Sequence, residues 1–407
     1  MAQEIRVGGA RRVPLAQVAA LNPRLLQTLS DGTPISFVPM AAVSAEEAKV
    51  TLAADRPYAD VRKGYTYFET GDVLVAKITP CFENGKIVEA VLPRQFGFGS
   101  TEFHVVRPKP GTLDGRYLHH FLRQERIRVE GQRRMTGSGG QRRVPEDFLA
   151  QLAIPLPPLP EQRRIAAILD QADALRAKRR EALAQMDSLT QSIFIEMFGG
   201  QESKGWPVET IANVTALHVG SIRTGPFGSQ LLHSEFVTDG VAVLGIDNAV
   251  TNEFRWGERR FISEAKHLEL RRYTVKPRDV LITIMGTCGR CAVVPDDIPL
   301  AINTKHLCCI TLNPLKCLPA FLHAFFLLHP MARGYLDQTS KGAIMSGLNM
   351  GLIKAMPIPI PPLALQQTFA TRIQAVEALK ATHRAALAEL DALFASLQHR
   401  AFAGQLS

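Results

Sequence analysis

The chain repeats itself, and this constrains its architecture more than any other feature. Residues Ile154 to Gln162 read IPLPPLPEQ, and Ile358 to Gln366 read IPIPPLALQ, a separation of 204 positions. A basic, Gly/Ser-containing stretch precedes each proline run: TGSGGQRRVPEDFLAQL before the first and TSKGAIMSGLNMGLIKAM before the second. Further upstream, TGDVLVAKITPC (Thr70 to Cys81) returns as PRDVLITIMGTC (Pro277 to Cys288), at an offset of about 207. The small difference in offset places length changes in loops between elements of constant length.

The segment after each proline run is helical. From Glu161 to Phe198 there is no Gly or Pro, and Ala, Leu, Arg, Gln and Glu dominate. Apolar residues recur at Ile165, Ile168, Ala172, Leu175, Ala182, Met186, Leu189 and Ile193. The positions 204 later are Phe369, Arg372, Val376, Leu379, Ala386, Leu390, Leu393 and Leu397, so only Arg372 breaks the stripe. A polar residue interrupts both copies at the same place, Arg179 and His383. Prolines before and Gly199-Gly200 or Gly404 after bound each helix at about 38 residues, or about 57 Å. Two such helices, matched in register, fit an antiparallel pair with a shared seam better than two unrelated core helices.

The intervening blocks are mixed. Strand-like runs (ISFVPM, DVLVAKIT, KIVEAVL, TEFHVVRP; then VAVLGI, DVLITIM, CAVVP, HLCCITL) are each followed by one helical stretch, GRYLHHFLRQERIRVEG or LPAFLHAFFLLHPMARGYL. The predicted fold is therefore two α/β (α+β) domains per chain, separated by two long helices in an antiparallel coiled coil, with a pseudo-two-fold internal repeat. The boundaries expected are 1–158 and 201–362 for the domains, and 159–200 and 363–407 for the helices.

With 46% hydrophobic and 21% charged residues in 407, the composition excludes disorder and calls for more than one core. The longest apolar stretch, Leu318 to Leu328, is interrupted by His323 and too short to span a bilayer, and the N-terminal residues carry no apolar signal region. A cytoplasmic protein with no membrane partner is expected. The net charge is +9 and the pI near 9.4. The excess sits in residues 1–158 (21 Lys/Arg against 16 Asp/Glu) and 201–357 (16 against 13), while the helices are close to neutral. Two basic blocks suit a polyanionic partner. Of the six cysteines, Cys288 and Cys291 form a C-x-x-C with Cys308 as a third candidate ligand, but no second pair completes a metal set, so reduced thiols and no metal site are expected.

Motifs for catalysis are missing. There is no phosphate loop, no H-E-x-x-H, no G-x-S-x-G and no G-x-G-x-x-G opening a helix. Asn22-Pro23 and Asn313-Pro314 lack the second proline and aromatic residue of an amino-methyltransferase loop, and the E-x-K patterns at Glu47-Lys49 and Glu264-Lys266 are common by chance. Basic residues are better placed. Seven arginines (Arg123, Arg126, Arg128, Arg133, Arg134, Arg142, Arg143) crowd Phe121 to Arg143 around Gly137, Ser138, Gly139, Gly140 and Gln141. Flexible backbone beside guanidinium groups suits phosphate contact, and Gln141 suits an adenine edge. Further DNA-contact candidates are Lys77, Thr79 and Lys86 in AKITPCFENGK, Arg223, Ser229 and Gln230 in SIRTGPFGSQL, Lys305 in INTKH, and Lys341 in TSKGAIMSG.

The segments YTYFETGDVLVAKITPCFENGK, GFGSTEFHVVRP and GSGGQRRVPEDFLAQLAIPLPPLPEQRRI, then GPFGSQLLHSEFVTDGVAVLGIDN and IPIPPLALQQTF, resemble the specificity (S) subunit of type I restriction–modification systems, from about Arg11 to Phe402. The resemblance implies two target-recognition domains, each reading one half of a bipartite double-stranded DNA target, and helices that set the unspecified gap. It also implies two modification subunits that bind S-adenosylmethionine and methylate adenine, and restriction subunits that use ATP and Mg. This chain would bind no cofactor and carry no catalytic residue. One departure is PPLALQQT in place of PPLPEQRR, which puts Leu365 where Glu161 stands in the first copy. The residues alone leave open a specificity protein for a solitary or fused methyltransferase-endonuclease, a non-DNA helical scaffold, and an autonomous nuclease or methyltransferase.

Overall fold

Short β-branched and aromatic runs bounded by Gly, Pro and Asp form strands here, and the two Gly-free runs form helices of 40 residues each, Leu159–Phe198 and Leu363–Phe402. These features come from a computed structural model that describes residues 6–7, 10–51, 54–138, 140–199, 205–340 and 348–406. The chain divides into two compact units, Met1–Glu181 with His383–Ser407, and Ala182–Thr382. Each unit therefore holds one α/β domain and one half of each long helix.

In the first unit, an antiparallel sheet orders its strands Ile87–Glu89, Val73–Ala76, Phe103–Pro108 and Ala19–Leu21. A second sheet orders Ala54–Pro57, Pro34–Val38, Phe96–Gly99 and Thr66–Glu69, with the central pair parallel. The second unit repeats both. Its antiparallel sheet runs Ile222–Thr224, Leu307–Ile310, Val280–Thr283 and Cys291–Val293. Its mixed sheet pairs Val241–Leu244 in parallel with Ala301–Asn303 and antiparallel with Phe261–Ile262. The mixed sheets differ at one edge: Thr66–Glu69 flanks the parallel pair in the first unit, whereas Phe236–Val237 adds beyond Phe261–Ile262 in the second.

The long helices are buried at matched positions. In the first unit Ile165, Leu169 and Ala172 of one helix and Phe394, Ala401 and Phe402 of the other close a core with Tyr117, Leu118 and Phe121. In the second, Phe194, Phe198 and Phe369 pack around Phe321 and one another, with ring centroids 4.9–6.4 Å apart. Within each unit the two helices run antiparallel. Arg176 meets Asp391 at 2.6 Å in the first unit, and Lys380 meets Asp187 at 2.8 Å in the second. These are one interaction occurring twice, because Arg176 and Asp187 lie 204 positions before Lys380 and Asp391. Arg179 Nη1 lies 3.3 Å from His383 Nδ1, the residue at its own repeat position.

The inward stripe differs from the sequence reading at two of the eight positions in each copy. Leu175, Leu189, Leu379 and Leu393 were expected in the seam but are 47–55% exposed. The seam instead takes the next residue, Arg176, Thr190, Lys380 and Phe394. Apolar identity misassigns the phase at Leu175 and Leu379 because the inward residues Arg176 and Lys380 are charged; at Leu189 and Leu393 the inward residues are Thr190 and Phe394. The same shift explains Arg372, which is exposed while its neighbour Ile373 packs inward.

One buried amide ties each helix start to the domain before it. Gln162 is fully buried; its Oε1 accepts from Asp114 N (2.9 Å) and its Nε2 donates to Thr112 O (3.0 Å) and Pro157 O (2.8 Å). Gln366 repeats the set with Leu318 N (2.9 Å), Lys316 O (3.0 Å) and Pro361 O (2.9 Å). Replacing either amide by an isosteric apolar group leaves three buried backbone groups unpaired, at about 1 kcal/mol or more each. Gln162→Leu and Gln366→Leu are each expected to lower unfolding free energy by about 3 kcal/mol in urea titrations, whereas Glu161→Leu, matching Leu365 of the repeat, changes it by less than about 0.5 kcal/mol.

Candidate nucleic-acid interface

The basic loop of the first unit is set by backbone pairing. Thr79 N donates to Arg142 O and Val144 N to Lys77 O, both at 2.9 Å, while Thr136 and Arg143 form a bridge across the loop base. This brings Lys77 and Thr79 beside Arg142 and Arg143. The turn needs glycine at Gly137: its φ is +126°, and a Cβ there would lie 2.5 Å from the Gln141 carbonyl oxygen. Ser138, Gln141 and Arg142 stand exposed on this turn, and Arg133 and Arg134 are exposed at the end of the helix Glu125–Arg133 leading into it.

Not all of these side chains are equally available. Arg143 is held by Glu102 through two bonds, Nη2 to Oε1 at 2.8 Å and Nε to Oε2 at 3.0 Å, and it holds that carboxyl below its usual range. Arg134 pairs with Glu130 at 2.9 Å. Thr79 Oγ1 donates to Glu83 Oε1 at 2.9 Å, and Lys86 Nζ donates to Met40 O at 2.9 Å. Among the described residues no partner holds the guanidinium of Arg133 or Arg142.

In the second unit the candidates separate. Arg223 lies inside the protein: its side chain pairs with the fully buried Asp279 and donates to Thr274 O (2.7 Å) and Thr311 Oγ1 (3.0 Å). Asp279 also accepts from Lys276 N at 2.8 Å. Asp72 does the same in the first unit, accepting from Glu69 N at 2.8 Å and holding Arg107 at 2.7 Å. The Asp of the repeated D-V-L motif is thus a structural anion in both copies, but its arginine comes from a different strand each time. Ser229 is exposed, while Gln230 Oε1 accepts from Phe227 N (3.1 Å) and Tyr273 Oη (3.0 Å). Gly225 begins this loop with its backbone against Asn303 and Thr304, where a Cβ would be 2.0 Å from Asn303 O. Lys305 lies two residues beyond Asn303 and is half-buried; Lys341 lies outside the described residues.

Sequence reasoning passed over FRWGERR. There Arg255, Trp256 and Arg259 are exposed, Arg259 lies over the Trp256 ring at 4.8 Å from its centroid, and Arg260 pairs with Asp247. Arg255 and Arg259 flank Trp256 in the sequence, and Arg255 pairs with Glu253 at 3.0 Å. The cysteines point elsewhere: burial pushes the Cys291 thiol well up and that of Cys308 to about 12. Among the described residues no cluster of three His, Cys, Asp or Glu is arranged to hold a metal, and no helix is long and apolar enough to cross a membrane.

The family described as Type I restriction modification DNA specificity domain matches twice, over residues 58–185 and 263–392, which is more than half of the chain. The chain belongs to this family. Both specificity-domain matches extend into a long helix, so the family unit includes the domain together with the helix its buried glutamine anchors. The specificity subunits of the type I restriction enzymes EcoAI and EcoEI, both from Escherichia coli, are 36% identical over 200 residues and 33% identical over 197. Those alignments cover 49% and 47% of this chain, and the chain spans about a third (33%) of the length of each relative. A chain in a solved type I restriction–modification assembly superposes with a TM-score of 0.58 at 20% identity, covering 99% of this chain and 100% of that one, and so shares its fold.

The buried arginine distinguishes structural from surface cation in these specificity domains. Arg223→Ala leaves Asp279 buried without its counter-charge, and a loss of about 3–5 kcal/mol is expected by chemical denaturation. Arg142→Ala is expected to stay within about 0.5 kcal/mol of the parent.

Proposed function

We propose that this chain is the addressing subunit of a type I restriction–modification assembly. The domain within residues 1–158 reads one half of a bipartite duplex target and the domain within 201–362 reads the other. The helices in 159–200 and 363–407 set the number of unread base pairs between them. The observation that carries this reading is the duplication: two copies of one specificity domain, each presenting its own exposed basic loop. In the first copy the contacts are assigned to Arg133, Arg134, Ser138, Gln141 and Arg142, with Lys77, Thr79 and Arg143 shaping the loop base and Lys86 held at Met40 O. In the second they are assigned to Ser229, Lys305, Arg255, Trp256 and Arg259, with Gln230 and Arg223 as supports.

Chemistry belongs to the partners. Two modification subunits bind S-adenosylmethionine and methylate adenine; restriction subunits supply ATP- and Mg-dependent cleavage. The chain itself contributes no catalytic residue and works in the cytoplasm, where the DNA is. The half-exposed Leu175, Leu189, Leu379 and Leu393 support docking of those subunits along the helices, since apolar side chains repeated at matched helical positions suit a protein partner.

Arg142→Ala is expected to weaken binding to every duplex and lower the slope of log affinity against log salt by about one; an unchanged slope removes Arg142 from the interface. Inserting one heptad after Arg179 and one after His383 keeps the seam in phase and lengthens each helix by about 10 Å. Methylation mapping should then show a gap longer by about three base pairs with both half-sites intact, and altered half-sites would contradict the spacer role.

A further inference from the structure

Four arginines in the first unit surround a cavity of about 180 Å³: Arg123 and Arg128 from the domain, Arg176 and Arg180 from the first long helix, with Glu46 and Gly85 at its wall. Three carboxylates face them. Asp173 meets Arg123 at 3.3 Å and Arg176 at 2.7 Å. Asp391 meets Arg176 at 2.6 Å and Arg180 at 3.5 Å, and Glu46 stands 3.6 Å from Arg180. Among the described residues no carboxylate pairs with the fourth guanidinium. Arg128 Nη1 donates to Glu83 O at 3.1 Å, and its Nε is buried without a partner. The Glu83 carboxylate is turned to Thr79 and does not line the cavity.

This is an expensive arrangement. The side chains of Arg123 and Arg176 are each only 16% exposed, and one cation remains uncompensated. Burial pushes the Arg123 guanidinium down from its usual range, and Arg176 and Arg128 push it further, while Asp173 opposes. Nor does the fold require it. The position 204 after Arg123 is Leu327, at the matching end of the helix that carries Phe321 and Phe325 in the second unit, so an apolar residue serves there. Gly85, at φ +75°, brings the loop backbone close enough that a Cβ would lie 3.3 Å from Arg128 Nη1. The volume admits about six waters at 30 Å³ each, room for a phosphate or pyrophosphate but not for a nucleoside.

We propose that this cavity is an oxyanion site that takes a phosphate group. Guanidinium groups from the domain and from the long helix line one cavity, and the buried Arg128 Nε is a donor with no partner among the described residues. The phosphate comes either from a DNA backbone or from a free phosphate compound, and the two sources give different results below.

The test uses the full chain and pyrophosphate as the probe. Isothermal titration calorimetry should show saturable one-to-one binding, weakened at least about tenfold by Arg123→Leu and by Arg128→Gln, or about 1.4 kcal/mol. Lys178→Gln, an exposed lysine on the same helix, should leave it unchanged. In parallel, the salt dependence of binding to a non-specific duplex is measured for each protein. A slope lowered by about one in both arginine variants, with pyrophosphate competing, assigns the site to a DNA phosphate. An unchanged slope with pyrophosphate binding lost in the variants assigns it to a free phosphate compound. The proposal is overturned if pyrophosphate does not bind, or if folded variants bind it as the parent does. Arg128→Gln loses only one backbone bond, so it remains informative should Arg123→Leu not fold. The pyrophosphate arm needs no DNA, so its failure is separate from a failure of the DNA-reading role.

Discussion

A single buried amide organises each half of this chain. Gln162 and Gln366 sit just inside the first turn of a 40-residue helix and bond three backbone groups contributed by the proline run and by the segment before the domain helix. A long helix tethered only by a flexible proline run would swing freely; a fully buried, fully bonded amide at its first turn fixes where it leaves the domain. The apolar contacts of Tyr117, Phe121 and Phe402, or of Phe321, Phe325 and Phe198, then depend on that exit direction. The Glu161 to Leu365 departure leaves this joint in place, because Gln366 makes the same three bonds as Gln162.

The second constraint is the ionic seam between the helices. An all-apolar seam tolerates sliding by a heptad, whereas Arg176 with Asp391 and Lys380 with Asp187 match in only one register. Charge at the centre costs stability, and the aromatic cores at the helix ends offset it. Leu175 and Leu379, beside Arg176 and Lys380, face outward instead.

Much of this was legible in the sequence. The repeat, the helix ends and the antiparallel pairing could be read because they rest on spacing and on residues that start or stop helices. The phase of the seam was misread because period alone cannot choose between Leu175 and Arg176 when the inward position is charged. Among the candidate contacts, the turn at Gly137 was legible as a loop from its glycines, but nothing local revealed that Arg223 lies in a strand against Asp279. That pairing spans 56 positions and swaps strands relative to Asp72 and Arg107. The exposed Arg255, Trp256 and Arg259 were not among the candidates, because glycine-rich loops are a more familiar phosphate signal than arginine beside an aromatic ring.

Together these features describe a duplicated specificity domain whose copies are separately anchored and separately basic. The most direct measurement of the proposed addressing role is single-molecule mapping of methylated adenines in DNA from cells that express this chain with the proposed modification subunits. The account predicts methylation within a target of two defined half-sites separated by a constant number of unspecified base pairs. A single uninterrupted target, or methylation whose pattern does not depend on this chain, would contradict it.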